Sequence, residues 1–179
     1  MARHIVLSLI LVTAVLPCSA RQSQADGWDT LRFLIGDWVG EGGGQPGQAS
    51  GGAFSFTSDL QGKVLIRRSY AEYPPSKGQP AYRHDDLMVV HQDPAGKGIG
   101  ATYFDNEGHV IQYSVTVSQD QRSLTFLSAP APASPRFRLV YNKVSEDSLS
   151  FEFDIAAPGK PDSFSKYIEG KAHRKAAGN

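Results

Sequence analysis

Residues 33–42 read Phe-Leu-Ile-Gly-Asp-Trp-Val-Gly-Glu-Gly, and the choice of architecture turns on them. An apolar run stops at Gly36, and Trp38 is then set among glycines. On a strand beginning at Gly36, side chains alternate, so Trp38, Gly40 and Gly42 share one face and Val39 and Glu41 the other. With the Trp face inward, the indole seals one end of a cylinder and the glycines leave space beside it. Glycine inside a strand marks a sharp bend or a close approach by a ligand or another backbone. Two readings stay open here: room for a ligand, or simple curvature of the wall.

Alternation continues along the chain. Phe54 and Phe56 alternate with Ser55 and Thr57; Ile111, Tyr113, Val115 and Val117 with Gln112, Ser114 and Thr116; Leu149, Phe151, Phe153 and Ile155 with Ser150, Glu152 and Asp154. Each pattern reads as a strand with one buried and one wet face. Turn signals such as Gln61-Gly62, Asp93-Pro94 and Asp105-Asn106-Glu107-Gly108 separate the runs. The pattern predicts about ten strands, near residues 37–43, 51–59, 63–73, 83–92, 97–104, 109–118, 122–128, 136–144, 148–156 and 163–174. The single helix predicted lies over Trp28–Ile35, where Leu31, Leu34 and Ile35 share a face. Proline-rich segments at 73–80 and 129–135 read as extended loops.

Short connections favour antiparallel neighbours, and an open sheet of this size would leave two long aggregation-prone edges. Closing the last strand on the first removes both. The fold expected is therefore all-β: an antiparallel, up-and-down closed barrel of about ten strands, capped at one end by the short N-terminal helix. A barrel of that size has room for a small molecule, so a central cavity is expected.

Ahead of the barrel, Arg3 and His4 precede the apolar run Ile5–Leu16, which ends in Pro17 and the small residues Cys18, Ser19 and Ala20. That order reads as a secretory signal peptide over 1–25, cut after Ala20 or Ala25. Pro17 sits badly for lipid attachment at Cys18. The domain plan expected is a leader over 1–25, one barrel domain over 26–175 and a frayed tail over 176–179, in a secreted or periplasmic protein. A cut after Ala25 leaves 154 of the 179 residues, no cysteine and a net charge of −2. No basic patch stands out, so nucleic acid is not an expected partner. The leader run is too short to form a stable membrane span.

A short helix running into Gly-x-Trp on a first barrel strand resembles the calycin group, the lipocalins and fatty-acid-binding proteins. The fuller string from Phe33 to Gly42 looks most like nitrobindins and a neighbouring secreted bacterial barrel family of unknown function. The segment from Asp85 to Val115, DDLMVVHQDPAGKGIGATYFDNEGHVIQYSV, resembles the matching part of that second family. For nitrobindins the resemblance implies haem held by a histidine in a His-Leu pair on the final strand. Here that region reads Phe-Ser-Lys-Tyr-Ile-Glu-Gly-Lys-Ala-His over 164–173. It has no His-Leu pair, and Ile168 falls at the ligand's place, which leaves His173 as the alternative axial ligand. A single axial histidine is the minimum for haem, so haem is possible but not favoured.

Arg67 and Arg68 are adjacent on a strand with Val64, Leu65, Ile66 and Tyr70, so one of them points inward. Arg68 shares a face with Ile66 and Tyr70 and is the one expected inside, where its fork suits a ligand carboxylate. The resemblance to fatty-acid-binding proteins implies the same use. The alternatives are that Arg68 pairs with an internal carboxylate or that the strand is flipped. His91 shares a face with Leu87 and Val89 and is expected inward. Tyr70, Tyr103, Tyr113, Tyr141 and Phe153 lie on the more apolar faces of their strands, where they suit either a mixed pocket or a plain core. His84, Asp85, Asp86, His91 and Asp93 lack the converging spacing zinc needs, so no metal site is expected and a solvated strand entry is the reading. His109 follows a turn and is expected to be exposed. No nucleophile elbow, phosphate loop or zinc-protease helix is present.

The function expected is a secreted barrel binding a small hydrophobic or amphipathic molecule in its interior, without evident catalysis. Its ligand would be contacted by Trp38, Gly40, Arg68, Tyr70, His91, Tyr103, Tyr113, Tyr141 and Phe153. The alternatives are a haem barrel acting on nitrogen oxides or peroxynitrite, and a filled barrel that binds another protein.

Overall fold

The computed structural model describes residues 25–41, 49–76, 78–93 and 98–176. A short helix, α1 (Ala25–Thr30), runs into a 3-10 turn at Leu31–Leu34. Ten strands follow: β1 (Gly36–Glu41), β2 (Gly51–Asp59), β3 (Val64–Tyr73), β4 (Tyr82–Gln92), β5 (Ile99–Asp105), β6 (Val110–Val117), β7 (Ser123–Ser128), β8 (Arg136–Lys143), β9 (Ser148–Ala156) and β10 (Phe164–Arg174). Each pairs antiparallel with the next, and β1 also pairs with β10, so the meander closes into a barrel with no free edge. The predicted strands match these within two residues; the ends of the first at Gly42–Gly43 and the start of the fifth at Lys97 lie outside the described residues, as does the leader. The helix is shorter than expected and tightens into the 3-10 turn that carries buried Leu31 and Leu34.

Trp38 explains the opening stretch. Its ring is buried at the end where β1 begins, and its indole N–H donates to the Leu34 carbonyl at 2.8 Å. Arg174, at the end of β10, stacks over the indole at 4.3 Å and donates to the Ile35 and Phe33 carbonyls at 2.7 and 3.3 Å. Gly36 takes a positive φ of 131°, and a Cβ there would sit where the Arg174 guanidinium lies. The glycine makes way for a cation, not for a ligand. Gly40 lies opposite Gly52, whose carbonyl would be 3.3 Å from a Cβ added at Gly40, so this pair lets two backbones pass closely. Gly42 lies outside the described residues.

The plugged end is formed by Leu31, Leu34, Trp38 and Arg174; the opposite end carries the turns after β3, β5, β7 and β9. Above the plug the middle is filled, not hollow. Tyr141 sits at the centre with ring centroids of Phe54, Phe56 and Phe126 at 5.8, 5.8 and 6.0 Å, and Met88, Val90, Leu124 and Leu149 complete an apolar core. The expected central cavity is therefore taken up by side chains, because aromatic residues from facing strands meet across it. Towards the loop end inward residues become partly exposed, among them Tyr103, Ile111, Phe137, Phe151 and Phe153.

Candidate functional site

Strand register fixes which side chains face the lumen. Phe56 is opposite Arg67, Arg67 is opposite Met88, and Met88 is opposite Tyr103; all four therefore point inward. This reverses the expectation for the arginine pair: Arg67 is inside and Arg68 is exposed on the outer wall. Tyr70, opposite Asp85, lies outside with it, beneath the Arg83 guanidinium at 3.9 Å. His91, opposite Gly100, is also outside, with Nδ1 against the Gln92 carbonyl at 3.0 Å. The physical reason is shared: β3 and β4 are apolar on both faces, since Ile66, Leu87 and Val89 clothe the outer wall. Trp38, Gly40, Tyr103, Tyr113, Tyr141 and Phe153 do face inward, though Trp38 and Tyr141 are sealed within the core.

Around Arg67 the lumen holds a polar knot. The Arg67 guanidinium donates to Asp86 at 2.5 Å, and both side chains are almost wholly buried. Its Nε is buried with no hydrogen-bond partner among the described residues. Burial opposes the charge, yet Asp86 and the phenols of Tyr141, Tyr103 and Tyr113 hold the guanidinium pKa above the ordinary arginine value. Burial pushes Tyr141 up to about 12, with Arg67 pulling the other way. Burial likewise raises Tyr103, helped by Asp86 and Asp105, and raises Tyr113 against the pull of Arg67. All three phenols therefore stay protonated at neutral pH and can donate hydrogen bonds.

Above this knot the loop end is aromatic. Phe137 and Phe153 stack at 5.9 Å, Tyr167 meets Phe153 edge-on at 6.2 Å, and Tyr73 stacks on Tyr82 at 4.5 Å. Tyr167 reaches this group because the β9–β10 register shifts between Lys166 and Ile168, which inserts it as an extra residue. His84 and Asp86 do not form a solvated strand entry. His84 lies inward, its Nε2 3.1 Å from the Tyr103 hydroxyl and its Nδ1 3.0 Å from Glu107. The turn after β5 adds Asp105 and His109, with His109 Nδ1 at 2.8 Å from the Asp105 carboxylate. His109 is exposed, as expected. Asp85, exposed, and Asp93 take no part in this group.

His173 faces away from the interior. Its neighbour Ala172 is the buried, inward residue, and His173 lies over Glu41 at 3.6 Å on the outer wall. It cannot ligate a haem held in the lumen. Outside the barrel, a pocket of about 680 Å³ lies against the wall of β1 to β5, where Val39, Ala53, Arg68, Tyr70, Leu87 and Phe104 line it.

Fold and site together define a closed ten-stranded antiparallel barrel, plugged at one end and polar-aromatic at the other. No protein-family model matches the chain, and no curated protein matches it in sequence.

Proposed function

We propose that the protein is a nitrobindin-like or lipocalin-like binding barrel that takes a small amphipathic molecule at its loop end. The closed barrel supports a binding role of this kind. The observation that carries the reading is the buried Arg67–Asp86 pair, beneath a partly exposed aromatic layer, with one guanidinium N–H left unpaired. Burying two charges costs several kcal/mol per ion, so an apolar pair would serve a purely structural core as well or better. An apolar ligand body suits Phe137, Phe153 and Tyr167; its polar head suits the phenols of Tyr103 and Tyr113 and the free Nε of Arg67. The leader-like residues 1–25 support export, which N-terminal sequencing of the protein from its own host tests directly.

The ligand test is displacement of anilinonaphthalene sulfonate fluorescence by decanoate and by decanol. Phe153→Ala should weaken both. The double variant Arg67→Met with Asp86→Leu should weaken decanoate more than decanol. Absence of saturable binding, together with no small molecule on native mass spectrometry of host-derived protein, would sink the reading. A filled barrel binding another protein is the second reading, and the outer pocket beside Arg68 and Tyr70 is the observation that favours it.

A further inference from the structure

The group at the rim, His84, Asp105, Glu107 and His109, is built from two separated stretches of chain. Asp86 on β4 is opposite Asp105 on β5, so the start of β4 and the turn after β5 meet at the loop end. One ligating atom each from His84, Asp105 and Glu107 lies within 4.8 Å of the other two. His109 Nδ1 adds a fourth, 2.8 Å from Asp105 Oδ2 and 4.0 Å from Glu107 Oε2. Ligands about 2.0–2.2 Å from a tetrahedral zinc ion stand about 3.4 Å from one another, so the side chains must draw closer together to enclose one.

One further feature points to a cation at this spot. The Tyr103 hydroxyl bridges two members of the group, 3.1 Å from His84 Nε2 and 3.3 Å from Asp105 Oδ2, while His84 Nδ1 lies 3.0 Å from Glu107. The feature is charge. The Asp105 side chain is only 4% exposed, and its one ion-pair partner is the imidazole of His109; no lysine or arginine reaches it or Glu107 among the described residues. Asp105 already accepts from the Glu107 and His109 N–H groups, so what a metal would add beside it is fixed positive charge.

We propose that His84, Asp105, Glu107 and His109 form a divalent transition-metal site at the rim of the barrel, with zinc as the natural occupant. Two imidazoles and two carboxylates match the nitrogen and oxygen donors zinc takes, and neither calcium nor magnesium favours imidazole. Tyr103 acts as a positioning residue: by holding His84 Nε2 it aims Nδ1 at the metal, the outer-partner arrangement common to zinc-bound histidines. The site lies beside the aromatic loop end and does not require that a ligand bind there.

The test uses the full-length protein stripped with EDTA, titrated with zinc by calorimetry and with cobalt by visible absorption. The result expected is one equivalent of zinc, and intense cobalt bands of a four-coordinate site. His84→Ala and His109→Ala should each lower zinc affinity by more than about a hundredfold, and Tyr103→Phe by about ten- to a hundredfold. His173→Ala, on the outer wall, should leave it unchanged. Glu107→Gln is near-isosteric at an exposed position, so it reads the site without endangering the fold. No saturable uptake, or uptake that Glu107→Gln and His84→Ala leave intact, overturns the proposal.

Discussion

Arg67 and Arg68 show what one residue of register decides. Their same-face neighbours do not settle which is inside, since Leu65 and Ser69 flank one and Ile66 and Tyr70 the other. The more apolar set belongs to the outer wall, which is why apolar company points to the wrong arginine. A usable signal does exist: the short turn pairs Asp59 with Val64, and counting back along both strands sets Phe56 against Arg67. The inward face of β2 is plain from its phenylalanines, so Arg67 must share it. Breaking the resulting pair should be far worse than removing it. Asp86→Ala should cost about 3–5 kcal/mol in urea unfolding, while Arg67→Met with Asp86→Leu should cost little or even stabilise. A double variant as unstable as the single one would show that the ion pair is part of the core's stability. Asp105 makes a pH prediction at the same scale. Burial works to raise its pKa, but the N–H groups and imidazole of His109 and the N–H of Glu107 hold it below its usual 3.8. A carboxyl depressed in the folded state adds stability above its unfolded pKa and loses it as pH falls through the folded one. Acid unfolding curves should therefore show Asp105→Asn losing less stability than the wild type as pH drops below 3.8.

At the scale of elements, alternation and turn chemistry make the strands legible, because both act within a few residues. The bulge at Tyr167 is not legible. It depends on how β10 meets β9, and no local residue announces it. The metal-ligand group is hidden for the same reason. His84 stands alone on its strand, and Asp105, Glu107 and His109 join it only through the pairing of β4 with β5. Interlocking between strands can be tested at Gly170 on β10, which lies under the Phe151 ring of β9. A Cβ at Gly170 would meet Phe151 Cζ at 2.7 Å, inside contact distance. Gly170→Ala should destabilise by about 1–3 kcal/mol through overpacking. Adding Phe151→Leu should recover part of that loss, since touching residues couple non-additively. A fully additive pair in denaturant melts would mean that the ring simply swings aside.

For the molecule as a whole, closure rests on one long-range junction. The barrel topology follows from the edge problem alone, but a hollow middle does not follow from the topology. Strand number sets the diameter, while the size of the inward residues sets what remains, and Phe54, Phe56, Phe126 and Tyr141 meet across it. The junction is where β10 returns to β1. Arg174 reaches the Ile35 carbonyl across 139 residues of sequence, stacks on Trp38, and also donates to the Glu146 carbonyl at 3.1 Å. Losing hydrogen bonds from a charged donor and a cation–π contact should make Arg174→Ala cost about 2–4 kcal/mol. Arg174→Lys should recover little of it, because an ammonium lacks the planar fork that serves several carbonyls at once. The kinetics should be lopsided. Neighbouring strands can pair through short turns, whereas this contact must wait for the whole meander, so it should be absent from the folding transition state. Arg174→Ala should then speed unfolding and leave the refolding rate nearly unchanged in stopped-flow traces of tryptophan fluorescence. A matching drop in the refolding rate would instead place the β1–β10 seam in the nucleus, with the barrel forming around its closure.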